Sequence, residues 1–206
     1  MEKFQFSSSD SQVIVNAIVE GYREYIEHRQ ERNREMIISS AFAWTKGNFI
    51  ESKIAKERDK LNVSYKRAKA GYTWDYLQFV QEDRKKLFLI KNAAYFKEEA
   101  FSKAILPSKH TSARRTYLHE LSQINSGIFS SKEKPKFITT ENQQLTFFIA
   151  EDQIKDDLED LKASYDEFHI LTYEIDEAFQ ISSIIHYLPN PMDNIAYKVE
   201  DLSDYI

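Results

Sequence analysis

Apolar side chains recur at helical spacing near the start of the chain. Ser9 followed three residues later by Gln12 matches a capping box, which marks the start of a helix. The apolar positions that follow are Val15, Ile18, Tyr22, Tyr25 and Ile26. The pattern predicts a helix that runs to about residue 35 and ends in a polar stretch.

A second helical pattern follows Ser39 and Ser40, which are suitable N-capping residues. Its apolar positions are Phe49, Ile50, Ile54 and Ala55. The lysines of the same stretch are Lys46, Lys53, Lys56 and Lys60. At helical spacing the two sets fall on different faces, so we expect an amphipathic helix with a basic rim.

From residue 72 the pattern changes to that of a β-hairpin. Residues 73–80 are rich in aromatic and branched side chains, residues 81–86 are turn-like, and residues 87–90 are apolar throughout. Period-two geometry places Trp74 on one face of the first strand and Asp75 on the other. Neither face is predominantly polar, so we expect both to be covered.

The chain between residues 92 and 142 is typical of two helices followed by a loop. The first helix is predicted over residues 92–105 and the second over residues 111–127, where Gly127 ends it. Residues 126–142 are rich in Ser, Lys, Thr and Pro and show no periodicity. This composition indicates a loop or linker.

The C-terminal part combines strands with one acidic helix. Strands are predicted over residues 145–149, 168–174, 179–187 and 195–199, and the helix has Ile154, Leu158 and Leu161 at its apolar positions. We therefore predict an α+β protein, with a helical N-terminal half packed on a β-hairpin and a small C-terminal β-sheet. The lobes would comprise residues 1–125 and 143–206, either separate or as one continuous domain.

Composition excludes several classes of chemistry. The chain of 206 residues has no cysteine, which excludes disulfides, thiol catalysis and cysteine-ligated zinc. Its four glycines are well separated, so no glycine-rich phosphate loop can be formed. There is no run of about 18 apolar residues and no apolar stretch of the kind found in secretory signals. We expect a cytoplasmic protein without a membrane segment.

Charge is distributed unevenly along the chain. Residues 46–140 carry 20 basic and 10 acidic side chains, whereas residues 141–206 carry 3 and 16. The basic and acidic parts could neutralise each other in the fold, or each could face a different partner. The acidic helix could be an ordinary solvated helix or a surface that imitates nucleic-acid phosphates.

The basic middle is the candidate surface for nucleic acid. Residues 46–115 combine 17 basic with 8 acidic side chains. The aromatic residues within this stretch or just before it are Trp44, Tyr65, Tyr72, Trp74 and Tyr76. Basic side chains neutralise phosphates, and aromatic rings stack on bases. The candidate binding residues are Lys46, Lys53, Lys56, Lys66, Arg67, Lys69, Arg114 and Arg115.

A carboxylate set offers the alternative of catalysis. Mg²⁺-dependent nucleases of the restriction-enzyme type use an Asp and, on the next strand, an acidic residue and a Lys two positions apart. The corresponding residues here are Glu51, Asp75 and Lys91, but Leu89 occupies the second acidic position. Leucine cannot bind Mg²⁺, so a nuclease of this kind would be divergent.

The five histidines do not predict a metal site. None of them is three or four residues from another, which is the spacing at which one helix face holds a metal ion. We therefore assign no metal to histidine and expect no cofactor, apart from Mg²⁺ under the nuclease hypothesis.

Three segments resemble an uncharacterised family of low-GC Gram-positive bacteria and their phages. They are AWTKGNFI within residues 41–55, AGYTWDYLQF within 69–79, and LFLIKNAAYF at 87–96. The closing YLPNP and DLSDYI are also similar to that family. The resemblance implies a shared fold and a host type, but no activity and no catalytic residue.

The leading functional hypothesis is a non-catalytic binding or regulatory protein of a phage or mobile element. It would act on nucleic acid or on a nucleic-acid-handling protein, because the basic and acidic segments are so sharply divided. The alternatives are the divergent Mg²⁺-dependent nuclease and a structural interaction protein, in the form of a homodimer.

Overall fold

The structure of the protein is a computed structural model that describes most of the chain. It covers residues 2–70, 74–95, 117–130, 143–144, 164–193 and 195–206. The predicted strand at 145–149 and the predicted acidic helix lie outside these ranges, as do Arg114 and Arg115.

Helices dominate the N-terminal part and strands the C-terminal part of the described chain, so the predicted α+β class is confirmed. The helices are α1 (Ser8–Glu35), α2 (Lys46–Lys56), α3 (Arg58–Leu61), α4 (Tyr117–Ser122) and α5 (Ser126–Ser130). Short 3-10 turns occur at Glu2–Phe4, Ser40–Thr45, Glu82–Arg84, Ala93–Tyr95, Gln123–Asn125 and Ser203–Tyr205. No helix in these ranges is both long enough and apolar enough to cross a membrane.

The described strands form one mixed sheet. They are β1 (Val63–Ala70), β2 (Trp74–Gln81), β3 (Lys86–Asn92), β4 (Gln143–Gln144), β5 (Glu167–Ile175), β6 (Ile181–Asn190) and β7 (Ile195–Asp201). Their order is β1-β2-β3-β5-β6-β7-β4, and β1 is an edge strand. The predicted hairpin is confirmed as β2 and β3, which pair antiparallel.

The centre of the sheet is the parallel pair β3 and β5, whose register runs from Lys86 opposite Glu167 to Asn92 opposite Tyr173. Parallel strands need a crossover connection, and α4 and α5 belong to it. The predicted loop at 126–142 therefore does not separate two sheets. Its first residues form α5 instead of a loop.

The sheet has an apolar core on each face. On one face, α1 and α2 pack against a cluster that includes Phe88 and Ile90. On the other face, α4 and the turn after it pack against a cluster that includes Leu87 and Leu89. Successive residues of β3 thus enter opposite cores, as strand geometry requires. The expectation that both faces of the hairpin are covered is confirmed.

The start of α1 differs from the predicted capping box. Ser7, not Ser9, is the N-cap, and its Oγ accepts a hydrogen bond from the Asp10 N–H at 3.1 Å. The Gln12 side chain donates to Asn16 instead of reaching back to the cap. The preceding Phe6 N–H donates to Glu200 on β7, which attaches the chain to the sheet just before the helix begins.

Three other boundaries differ from the prediction. The sequence pattern did not predict β1, because this edge strand carries mostly polar, exposed side chains. Residue Asn92 ends β3, and a 3-10 turn follows it where a helix was predicted. Phe179 lies in the turn before β6, at φ 58°, and is 72% exposed.

Gly21 allows α1 and α2 to pack closely. A Cβ atom at this position would lie 2.8 Å from the Ile50 Cα and 3.0 Å from the Phe49 carbonyl oxygen. These distances are shorter than any normal contact, so the two helix backbones can approach this closely only at a glycine. Ile50 is fully buried at the contact.

Asn125 connects the crossover to the sheet. Its side chain donates to the carbonyl oxygens of Phe168 and Pro189 and accepts from the Phe168 N–H, each at 2.8 Å. The helix predicted over residues 111–127 is interrupted at this point. α4 ends at Ser122, and Gln123–Asn125 forms a 3-10 turn. Gly127 does not end a helix but lies inside α5.

Candidate functional site

A pocket of about 450 Å³ lies between α2, β1 and β2. Its lining residues are Asn48, Glu51, Ser52, Ala55, Lys56, Tyr65, Arg67, Asp75, Tyr76 and Leu77. Two carboxylates and two basic side chains therefore share one concave surface. This combination can bind a cation and an anion side by side.

The packing of α2 places its polar face at the pocket. Ile50 and Ile54 are fully buried in the core shared with α1. Glu51 follows Ile50 directly, so the close approach of α1 at Gly21 also determines how near Glu51 lies to β2. Lys53 adds an ion pair with α1, because its Nζ lies 2.7 Å from Glu24 and 3.0 Å from Glu20.

Glu51 occupies the region where β2 and β3 separate. The ladder between these strands joins Phe79–Gln81 to Lys86–Phe88. Beyond it, the Leu77 N–H donates to Glu51 Oε2 at 2.9 Å. The carboxylate thus satisfies a backbone donor of β2, which fixes the position of one of its oxygens.

Burial raises the pKa of Glu51 to about 7, although Lys91 and the Leu77 N–H oppose the shift. Burial also lowers the pKa of Lys91 to about 8, against the attraction of Glu51. The Lys91 Nζ lies 4.8 Å from the centre of the Tyr76 ring. Beside the pocket, the pKa of the carboxyl group is thus raised and that of the half-buried amine lowered, each toward neutral pH.

Asp75 is on the outer side of the pocket, where its side chain is 49% exposed. Its Oδ2 lies 4.0 Å from Arg67 Nη1, and Arg67 is 76% exposed. An exposed ion pair of this length contributes little to stability. Both groups are therefore available to a ligand.

The structure brings together part of the predicted catalytic set. Glu51 and Asp75 line the same pocket, and Lys91 interacts electrostatically with Glu51. Leu89 is fully buried in the core on the α4 side of the sheet, so it supplies no ligand. Across the described ranges, no three His, Cys, Asp or Glu side chains are grouped as they would be around a metal ion.

The donor set nevertheless fits Mg²⁺. This ion commonly binds one or two protein carboxylates and completes its shell with water and phosphate oxygens. Glu51 and Asp75 supply two carboxylates in a pocket that has room for such ligands. Burial raises the pKa of Glu51, and a cation bound beside this carboxylate would favour its ionised form.

The predicted nucleic-acid-binding residues fall into two groups. Lys56, Lys66, Arg67 and Lys69 are exposed, on α2 and the β1 edge. Lys46 is half-buried, with its Nζ 5.8 Å from the Tyr25 ring, and burial lowers its pKa. Lys53 is occupied by Glu20 and Glu24, which neutralise its charge.

Sequence reasoning overlooked Asn48 and Ser52 as pocket residues. Together with Glu51 and Lys56 they are spaced along one face of α2, so helical periodicity contained the signal. It also overlooked the contribution of β1, whose Tyr65 lines the pocket and is 43% exposed. The available signal was the period-two spacing of Tyr65 and Arg67, which places both side chains on the same face of a strand.

Comparison with known proteins places the chain in a family. A model of a family of unknown function, DUF5986, matches residues 3–206. No curated protein and no solved structure matches the chain. The expectation of an uncharacterised family is confirmed. Since the match spans almost the entire sequence, this protein belongs to the DUF5986 family of unknown function.

Proposed function

We propose that the protein binds nucleic acid through the basic rim of the pocket, as a non-catalytic binding or regulatory protein of a phage or mobile element. The observation that carries this proposal is the β1 basic edge, defined as Lys66, Arg67 and Lys69. All three side chains are exposed on an edge strand, and Arg67 lines the pocket together with Lys56 of α2. Such a cluster neutralises phosphates.

The arrangement of the β1 basic edge suits an extended strand of nucleic acid. Arg67 and Lys69 project from the same face of β1, about 7 Å apart along the strand. Tyr65 precedes them on that face, and its ring packs against Phe79 at a centroid distance of 6.4 Å. Its exposed side is available for a base to stack upon it.

The proposal is tested by measuring how salt affects binding to a fluorescent single-stranded DNA. Replacing Lys66, Arg67 and Lys69 by alanine is expected to weaken binding at least tenfold and to lower the salt slope by about 2, since three phosphate contacts are removed. Lys198→Ala, on β7 at the far side of the sheet, is the control and should have little effect. Absence of binding by the full chain at low salt would reject the proposal.

A second candidate function is Mg²⁺-dependent hydrolysis of phosphodiesters. It is favoured by the position of Glu51 and Asp75 in one pocket, with Lys91 beside Glu51 and Arg67 at the rim. Mg²⁺, when bound, would polarise the phosphate and lower the pKa of a bound water. Glu51 and Asp75 would hold the ion, Arg67 would position the phosphate, and Lys91 would keep Glu51 ionised by its charge.

The second candidate predicts that Glu51→Gln and Asp75→Asn each lower Mg²⁺ affinity and any Mg²⁺-dependent cleavage by at least 100-fold, because each removes an anionic ligand. Titration calorimetry with Mg²⁺ and cleavage of a labelled strand would measure the two effects. The control is Asp59→Asn, on α3, where the side chain is 92% exposed. Salt-dependent DNA binding should survive in all three variants.

Cation binding should also depend on pH. The pKa of Glu51 is raised to about 7, and only the ionised carboxylate binds a cation well. Mg²⁺ affinity is therefore expected to increase as the pH rises from 6 to 8, and to lose most of this dependence in Glu51→Gln. If the native protein binds no Mg²⁺ at pH 8, hydrolysis is rejected while nucleic-acid binding remains.

A further inference from the structure

Four titratable side chains form a hydrogen-bonded chain across β5, β6 and β7. Glu167 Oε2 lies 3.0 Å from His169 Nε2, and His169 Nδ1 lies 2.8 Å from His186 Nε2. At the other end, His186 Nδ1 lies 2.7 Å from Glu200 Oε1. Both imidazoles are completely buried. We refer to these residues as the Glu-His-His-Glu chain.

The N-terminal segment Glu2–Phe6 covers this chain. The Phe6 N–H donates to Glu200 Oε1 at 3.0 Å, and the Phe6 ring packs on His186 with 4.8 Å between centroids. Lys86 on β3 donates from Nζ to the Phe4 carbonyl oxygen at 2.7 Å and lies 4.6 Å from the Phe6 ring centre. The segment therefore contacts both a buried carboxylate and a buried amine.

The number of protons in the chain follows from its geometry. Three hydrogen bonds join Glu167 to His169, His169 to His186, and His186 to Glu200. Each of them requires one proton between its two heavy atoms. Two ionised carboxylates and two neutral imidazoles carry only two protons in total. One additional proton must therefore be shared within the chain, or one link would join two lone pairs. With it, the chain has a net charge of −1, which the ammonium of Lys86 balances.

The surroundings favour Glu167 as the site of the additional proton. Burial raises the pKa of Glu167. Burial lowers the pKa values of His169 and His186, although the Glu200 carboxylate opposes the shift at His186. Glu200 Oε1 already accepts from the Phe6 N–H, so Glu167 is the carboxyl group that can supply a donor to the chain. The other charged groups that face the Glu-His-His-Glu chain and Lys86 are Lys3, Asp10, Arg84 and Asp166.

We infer that the shared proton of the Glu-His-His-Glu chain holds the N-terminal segment on the sheet, so that the segment opens when the proton is lost. Deprotonation leaves an unbalanced negative charge, with the Glu167 carboxylate facing the lone pair of His169 Nε2 at 3.0 Å. The His169 ring packs against the Phe4 ring of the segment, with 6.4 Å between centroids, so this repulsion acts on the segment. The closed form binds more protons than the open form and is favoured at lower pH. The inference is independent of the proposed function.

Amide hydrogen exchange of Phe6 in the full chain tests the inference. Between pH 6 and pH 9, after correction for intrinsic exchange, we expect protection of the Phe6 amide to fall at least tenfold. Glu167→Gln should reduce this pH dependence at least threefold, because the amide donates to His169 as the carboxylic acid does but cannot lose a proton. The remaining dependence is due to Lys86, whose pKa burial lowers to about 8.

The matched control is Glu174→Gln, an exposed position on the same strand, which should behave like the native protein. Equal pH dependence in Glu167→Gln and the native protein would overturn the inference. A second measurement covers the case in which Glu167→Gln does not fold. Nitrogen-15 NMR of the native protein at pH 7 should show His169 and His186 neutral, each with its proton on Nδ1. Two Nε2-protonated rings would also overturn the inference.

Discussion

Replacing Asn125 by alanine is expected to lower the free energy of unfolding by about 4 kcal/mol, because three buried backbone groups lose their partners. The side chain is completely buried and makes three hydrogen bonds of 2.8 Å, to Phe168 and Pro189. Alanine can replace none of them, and the site lies too deep for water to enter freely. The loss is therefore larger than that of an average substitution.

Urea unfolding followed by circular dichroism would measure this effect. Asn125→Asp keeps the acceptor for the Phe168 N–H but removes both donors, so it should also be strongly destabilising. Asn16→Ala, at an exposed position of α1, is the control and should change stability by less than about 0.5 kcal/mol. A loss below about 1 kcal/mol for Asn125→Ala would contradict the interpretation of Asn125 as the link between crossover and sheet.

Replacing Gly21 by alanine is expected to destabilise the protein by about 2 kcal/mol or more, although alanine is the better helix former by about 1 kcal/mol. The added Cβ would lie 2.8 Å from the Ile50 Cα, so the backbones of α1 and α2 would have to separate. Because Glu51 is adjacent to Ile50, the same shift would lengthen its bond to the Leu77 N–H. Under the second candidate function, Mg²⁺ binding should weaken as well.

Gly47→Ala is the matched control for this substitution. Gly47 lies in α2, and a Cβ there would have no atom within 4 Å. The exchange should therefore stabilise the protein by up to about 1 kcal/mol through helix propensity alone. Thermal unfolding of both variants gives the comparison. If both substitutions changed the stability in the same direction, the result would contradict the interpretation that Gly21 is required for the close approach of α1 and α2.

The local sequence pattern was sufficient to predict the helices and strands that bury a regular apolar face. α1, α2, the hairpin of β2 and β3, and the strand β5 all have strong periodicity and were predicted from it. β1 was not, because an edge strand with Lys66, Arg67 and Lys69 exposed has no apolar alternation to detect. The N-cap is Ser7 and not Ser9, and the preceding Phe6 binds distant Glu200, a contact that no local pattern contains.

The remaining features of the fold and of the candidate site depend on tertiary structure. Glu51, Asp75 and Lys91 could be named from residue type and spacing, but their position beside one pocket depends on how α2 docks on β2. The link between His169 and His186 arises from the pairing of β5 with β6, and no spacing along the chain reveals it. The same holds for the roles of Gly21 and Asn125, since each depends on an element distant in sequence.

The parallel pairing of β3 with β5 has a consequence for the biosynthesis of the protein. Residues 86–92 cannot acquire their central neighbour until residues 167–175 have left the ribosome. Until then, the apolar side chains of the nascent β3 have one open flank, and closing so long a stretch of chain makes folding slow. We expect the protein to fold largely after synthesis and to depend on chaperones during that interval.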